Sequence, residues 1–228
     1  MVGVRKLYSM LSEPFARING GIGRDMLFSI LRKHDMLIRR RRRYTRTTNS
    51  IHRFRMYKNL TKSVVIDHPN MVWAADITYL RLTEGFCYLA LLTDMYSRKI
   101  VGYDVSDSLE LSGAIRALRR ALQDTGVYRR GGRTIHHSDR AIQYCSPRYT
   151  DVLTEHNMLA SMTEENHVFE NSLAERVNGI LKGEFLLDRE FRTVKDAFRA
   201  SREAIDTYNG FRQNLSLNML TPCQVYCG

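Results

Sequence analysis

Asp76, Asp139 and Glu175 are the side chains of this 228-residue chain whose types and placing suit a divalent-metal site. Asp76 lies inside the apolar run MVWAADITYL, on the face of Ala74 and Thr78, while Trp73, Ile77 and Tyr79 take the other face. An ionised carboxylate there is costly unless a cation or a hydrogen-bond donor compensates it. Asp139 follows directly on the short strand RTIHH, at the end where open α/β sheets place their ligands. Glu175 falls near the start of a helix. Magnesium takes a few such oxygen ligands and completes its shell with water and substrate phosphates. Two ions about 3.5–4 Å apart activate an attacking hydroxyl and stabilise the leaving oxygen of a phosphodiester. Singly, each residue has a plainer reading: Asp76 can cap a turn, Asp139 can cap a loop, and Glu175 can pair with Arg176 or Lys182 on a helix surface.

The elements that would position these carboxylates follow from periodicity. MVWAADITYL, FCYLALLTD and KIVGYDV alternate as strands, joined at Gly85 and by the turn Asp94-Met95-Tyr96-Ser97-Arg98, so the three are expected to be antiparallel. Leu109 to Asp124 keeps Leu111, Ile115, Leu118 and Leu122 in helical register, with Gly126 beyond its end. The strand RTIHH, a helix from Pro147 to about His156 and the strand Leu159-Ala160-Ser161-Met162 come next. Helices through 172–186 and 194–208 close the series. The order βββαβαβα plus a further helix is an α/β layer whose antiparallel meander feeds a parallel half. Towards the N-terminus, Val4, Leu7, Tyr8 and Leu11 mark one helix. Ile18 to Gly23 breaks the pattern, and Leu27, Ile30, Leu31 and Leu37 mark the buried side of a second helix from about Arg24 to His34.

Charge is distributed unevenly along this plan. The net charge is +11, yet residues 1–66 carry 16 Lys/Arg against 3 Asp/Glu, and residues 67–228 carry 19 against 21. Arg39, Arg40, Arg41, Arg42 and Arg43 are consecutive, with Arg46 and several Thr and Ser close behind. Such a run cannot pack one face on a core, and Arg with Thr or Ser is the chemistry of phosphate contacts. A polyanion partner suits a basic arm on a near-neutral body, with a solvated basic face or an acidic protein as alternatives. The domains expected are a helix-turn-helix unit at 1–45, a basic linker at 46–66 and a catalytic body at 67–228. The cysteines, Cys87, Cys145, Cys223 and Cys227, form no zinc-module spacing and read as small apolar residues. No stretch is long and apolar enough for a membrane span, and the N-terminus lacks a secretory core, so a cytoplasmic location and no membrane partner are expected.

Trp73-Ala74-Ala75-Asp76-Ile77-Thr78-Tyr79 resembles the W-x-x-D-I-T-Y signature of the integrase core. The stretch from His137 to Ser146, HSDRAIQYCS, resembles that family's H-S-D-R-G-x-Q-Y-x-S block. Glu170-Asn171-Ser172-Leu173-Ala174-Glu175 with Leu181-Lys182-Gly183-Glu184-Phe185 resembles D-N-A-x-x-E…L-K-x-E-x, and 35 residues separate Asp139 from Glu175. Tyr208-Asn209-x-x-Arg212, Leu215 and Thr221-Pro222 resemble its C-terminal tail. The chain is thereby identified as similar to a DD(35)E transposase of the insertion-sequence-three family, the product of its second open reading frame.

The resemblance implies an RNase H-like integrase core, a mixed five-stranded sheet flanked by helices, preceded by a small α-helical helix-turn-helix domain. It implies Asp76, Asp139 and Glu175 as catalytic and metal-binding residues, with magnesium (manganese as substitute), two ions in all. DNA strand cleavage and transfer at the ends of an insertion sequence would be the reaction, in the bacterial nucleoid. The partners implied are element-end and target DNA, the upstream reading-frame product of the same element, and further copies of the chain on DNA. Lys182, two helical turns beyond Glu175, fits a phosphate contact or a bystander on a solvated face. Asn171, Asn178, His137 and Gln143 read as nucleotide-positioning residues or as ordinary loop hydrogen-bonders. Ala141 departs from the family's glycine and would strain the Asp139 loop if a positive φ were required there. Glu170 and Asn214 also depart, and neither removes a carboxylate of the triad. A stand-alone RNase H-like nuclease and a non-catalytic chain that competes for element ends are the alternatives.

Overall fold

The computed structural model describes residues 3–18, 21–37, 53–129, 133–164 and 171–228. Arg39, Arg40, Arg41, Arg42, Arg43, Arg46 and Glu170 lie outside the described residues, and with them the basic run expected to touch DNA.

Alternation in the chain becomes a sheet with a core on each face. Strands β1 (Val72–Leu82), β2 (Phe86–Asp94) and β3 (Ile100–Ser106) form the antiparallel meander. Strands β4 (Ile135–Ser138) and β5 (Leu159–Met162) add parallel to it, giving the order β3-β2-β1-β4-β5. A two-residue strand, β6 (Glu190–Phe191), pairs with the far end of β1 and makes the sheet six-stranded. So short a segment carries no period-2 signal, which is why five strands were expected. The helices, in chain order, are α1 (Val4–Met10), α2 (Ser12–Ala16), α3 (Arg24–Lys33), α4 (Leu111–Thr125), α5 (Ile142–Cys145), α6 (Pro147–Glu155), α7 (Ser172–Glu184), α8 (Val194–Gly210) and α9 (Pro222–Cys227).

One face of the sheet buries Trp73, Ala75, Ala90, Leu92 and Val101 against Ala117, Leu118 and Ala121 of α4 and Tyr149 and Leu153 of α6. The other buries Leu80, Leu89 and Leu91 against Val177 and Leu181 of α7 and Ile205 and Tyr208 of α8. Helix α4 lies so close to β3 that a Cβ on Gly102 would sit 2.4 Å from the Ala117 carbonyl oxygen, so only glycine fits there. Gly126 ends α4 in the left-handed conformation, φ 58°, as its place in the sequence predicted.

Several motif residues prove to be fasteners. Asn209 brackets the backbone of Ile100, accepting from its N–H and donating to its C=O, both at 2.9 Å, in place of a neighbouring strand. Arg212 makes a two-pronged bond to Glu184 at the end of α7, both prongs at 2.7 Å. Trp73 donates its indole N–H to Asn70 Oδ1, and Asn70 in turn bonds the Tyr226 hydroxyl of α9. The tail motif therefore ties α8 and α9 back to the start and edge of the sheet.

The N-terminal helices differ from expectation in detail. The first helix stops at Met10, and a separate short helix, α2, follows. In α3, Leu27 and Leu31 are buried as expected but Ile30 is exposed, because the buried stripe of so short a helix is only two residues wide. The one buried side chain of α1 is a charge, Lys6.

Candidate catalytic and metal-binding site

The parallel register of β1 and β4 sets two carboxylates abreast. Val72 faces Ile135, Trp73 faces His136, Ala74 faces His137 and Ala75 faces Ser138. Asp76 is the next residue of β1 and Asp139 the first past the end of β4, and neighbouring strands lie about 4.8 Å apart. Strand β4 ends there, and Asn171, which caps α7, takes over its work by donating Nδ2 to the Ala75 carbonyl at 3.0 Å. Seven residues along the same helix, Asn178 donates Nδ2 to Asp76 Oδ2 at 2.6 Å. Two amides thus lash α7, the helix that carries Glu175, to the free edge of β1.

The electrostatics match a site built for a cation. Burial raises the Asp76 carboxyl to about 7, and the negative charge of Asp139 pushes the same way; the Asn178 and Ile77 bonds oppose this, and Glu175 adds a little more. Burial likewise raises Asp139, against the bond from the Ala141 N–H at 3.1 Å and with the charge of Glu175. Glu175 itself is exposed in the first turn of α7. Among the described residues no three His, Cys, Asp or Glu side chains are drawn together closely enough to enclose an ion. The donors nevertheless fit one: they are hard, acceptor-only oxygens that repel each other, as magnesium sites require.

Ala141 relieves the concern its identity raised. Its φ is −65° and ψ 144°, an extended N-cap for α5, so the loop holding Asp139 carries no left-handed strain. Beneath that loop Tyr144, Tyr149 and His136 form an aromatic cluster, with the Tyr149 hydroxyl 2.8 Å from His136 Nε2. Burial, with the neighbouring His137, lowers His136 to about 3, so the ring is neutral.

Three of the residues expected to contact nucleotides, His137, Gln143 and Asn171, are buried and bonded within the chain. His137 is fully buried, and its Nδ1 shares a 2.9 Å bond with Ser161 Oγ, which also accepts from Leu60 N–H. Both faces of the sheet are covered there, which accounts for the burial of its ring. Gln143 is buried and donates to the Leu109 carbonyl at 2.7 Å, holding the approach to α4. Asn171 is buried against β1 as described. Lys182 is half-buried, with Nζ 4.2 Å from the Tyr79 ring centre; burial lowers it, while the charge of Asp76 draws it upward. What the sequence did not disclose is that Asn178 serves Asp76. The available signal was its three-residue spacing from Glu175, which places both on one helix face.

An α/β sheet of this order with paired carboxylates at the β1–β4 junction defines an integrase catalytic core. An integrase core domain model matches residues 66–167 and a second integrase core domain model matches 156–222. The HTLV-2 integrase catalytic core domain, solved in complex with magnesium, superposes with a TM-score of 0.54 at 20% identity, covering 70% of this chain and 97% of that one. The insertion element IS600 31 kDa protein of Shigella sonnei is 33% identical over 227 residues, 96% of this chain and 79% of that protein. The transposase InsF for insertion sequence IS3A of Escherichia coli (strain K12) is 32% identical over 166 residues, 70% of this chain and 57% of its own length. The chain belongs to the insertion-sequence-three family of integrase-core transposases.

Proposed function

We propose that the protein is a DDE transposase that cuts one DNA strand at the end of an insertion sequence and joins the freed 3′-hydroxyl to target DNA. The observation that supports this is the β1–β4 register, whose last pair, Ala75 and Ser138, directly precedes Asp76 and Asp139, with the Glu175 helix bonded to Asp76 through Asn178. Asp76, Asp139 and Glu175 would hold the metal, magnesium with manganese as substitute, in two ions. When bound, divalent metal supplies the Lewis acidity that activates the attacking hydroxyl and neutralises the leaving oxygen. In cleavage, a water oxygen bonds to phosphorus as the bond from phosphorus to the 3′-oxygen breaks, and the 3′-oxygen leaves as the hydroxyl. In transfer, that hydroxyl attacks a target phosphodiester and displaces its 3′-oxygen, so the bonds formed and broken balance without external energy. Asn178 orients Asp76, Asn171 seats α7, and Lys182 contacts a phosphate beside the site.

The same reading makes residues 1–45 a DNA-binding unit and 46–66 a linker. Arg39, Arg40, Arg41, Arg42, Arg43 and Arg46 would lie along the backbone of element-end or target DNA. It also entails a homo-oligomer on paired ends, the upstream reading-frame product as partner, and a cytoplasmic, nucleoid-associated location. No described helix is long and apolar enough to cross a membrane. Ala141, the one departure beside a candidate ligand, adopts ordinary backbone, which removes the reason to prefer a decayed, merely DNA-binding chain. The test is magnesium-dependent strand transfer on end-sequence DNA with Asp139→Asn as control. Product from the natural chain alone is expected; equal product from both would overturn the triad.

A further inference from the structure

Aromatic side chains line a patch of the sheet that the described helices leave bare. Tyr79 faces Tyr88 across the β1–β2 pair and Arg81 faces Phe86, so alternation puts all four on one face. Further down the strands the same face is Ala75, Ala90 and Leu92, buried under α4. That cover stops at Ser106, the register partner of Tyr88, where a Cβ on Gly113 in the first turn of α4 would meet the Ser106 hydroxyl at 2.5 Å. Beyond it Phe86 is 50% exposed, Arg81 is exposed, and Tyr79 and Tyr88 are half-buried. Strand β4 pairs with β1 as far as Ala75 and β6 pairs with it from Arg81, so no strand pairs the edge of β1 between them. Lys182 of α7 reaches Tyr79 along this stretch, its Nζ 4.2 Å from the ring centre.

Phe86 and Tyr79 stand edge to face, ring centres 5.4 Å apart and planes at 84°, so Tyr79 fixes both the exposed ring and the lysine. Arg81 and Lys182 form no ion pair among the described residues, and the exposed Glu190, in register with Arg81 on β6, forms none either. An aliphatic patch would suit another protein. Rings flanked by uncommitted cations suit nucleic acid, since every base has a π-face and every linkage a negative charge. Asp76 lies three residues before Tyr79 on the same strand, about 10 Å away, so DNA held at the carboxylates passes beside the patch. We propose that Phe86, bedded on Tyr79 and Tyr88, stacks an unpaired base of the DNA strand at the carboxylates, with Arg81 and Lys182 on the phosphates to either side. A base inside the double helix has both faces covered by its neighbours, so the platform selects a nucleotide outside it.

This rests on the reading of the chain as DNA-acting, and the experiment separates the two. Affinity of the full chain for a short oligothymidine and for an abasic strand of the same length is measured for the natural protein, Phe86→Leu, Phe86→Trp and Arg81→Gln. The natural chain is expected to prefer oligothymidine. Phe86→Leu should weaken that binding by roughly 5- to 150-fold, the worth of one stacked base, and leave the abasic strand unaffected, which damage to the fold would not do. Phe86→Trp should restore it, and oligothymidine but not the abasic strand should quench the introduced indole; the native Trp73 is fully buried and senses neither. Arg81→Gln should weaken both strands and lower the slope of log affinity against log salt by about 0.7. Unchanged oligothymidine affinity in Phe86→Leu overturns the platform and leaves the transposase reading standing. If that variant also dissociates a dimer of the natural chain, the patch belongs to a second copy instead. A natural chain that binds neither these strands nor a duplex removes both readings.

Discussion

The two ends of α7 present opposite electrostatic problems, and the chain answers only one of them with a charge of its own. At the N-terminal end, burial raises the carboxyls of Asp76 and Asp139, and the charge of Glu175, in the first turn of α7, adds to both. At the C-terminal end, Lys6 and Arg212 share Glu184, and Lys6 is driven down to about 8 by burial and by Arg212. Structural ion pairs are normally balanced, because leaving one partner buried and alone costs several kcal/mol. Among the described residues no cation of the chain forms an ion pair with the aspartates of the acidic end, and under the proposed function a divalent metal would balance them, whereas the basic end carries its own carboxylate in Glu184.

The sharpest way to break this comparison is to remove charge from each end in turn. Asp76→Asn, Asp139→Asn and Glu175→Gln should each reduce strand transfer by about a thousandfold or more, as expected when a charge-stabilising group is lost. Glu184→Gln should leave transfer within about tenfold of normal, since it loosens the ion pairs with Arg212 and Lys6 and does not touch the reacting atoms. Comparable losses at both ends would mean that the acid cluster has no special role. Thermal unfolding sharpens the same contrast at smaller scale. Millimolar manganese should raise the melting temperature of the natural chain by several degrees, since a ligand present at about a hundred times its dissociation constant stabilises by about 2.7 kcal/mol. Asp139→Asn should abolish the rise, and Lys6→Gln should keep it.

How far these features were legible depends on whether they are local. Strand β2 and strand β5 emerge with the bounds their alternation predicted, and Gly126 ends α4, because each follows from neighbouring residues. The two candidate aspartates were visible because a charge inside an apolar strand and a charge at a strand end are anomalies within a few residues. What stayed hidden spans the chain. Asn178 bonding Asp76 joins positions 102 apart, and Lys6 on Glu184 joins the first helix to α7. The burial of His137 and Gln143 was hidden for the same reason: a polar residue beside a motif looks exposed until the covering elements, β5 and the approach to α4, are in place. Ala141 looked strained only because the family's glycine there suggests a positive φ, whereas the backbone that forms is extended.

A pH titration of the metal-free chain tests the acidic end without any catalysis. Asp76 is held at about 7 against 3.8 ordinarily, so between pH 4 and 7 the folded chain keeps a proton that the unfolded chain has released. Stability should therefore fall as pH rises through that window and level off above it. The loss should be about 1–3 kcal/mol once partial exposure is allowed for. Asp76→Asn should remove most of the slope, leaving a smaller part from Asp139, which is raised for the same reason. A flat profile in the natural chain would mean that a cation of the protein already neutralises the pair.

The basic end makes the mirror-image prediction, at smaller amplitude. Lys6 is held at about 8 where an exposed lysine titrates near 10.5, so the cost of burying its charge is fully present below pH 8. Between pH 8 and 10.5 the unfolded chain binds the proton that the folded chain has lost, and stability should rise with pH across that interval. Lys6→Met keeps most of the buried stem, so it should stabilise the chain at pH 7 by about 1–2 kcal/mol, less than the full shift because the attraction of Glu184 goes with the charge. The gain should shrink to nothing by pH 10.5. If Lys6→Met instead destabilises at pH 7, the pair with Glu184 outweighs burial. Lys6 would then fasten α1 in place, and the C-terminal end of α7 would no longer mirror the other.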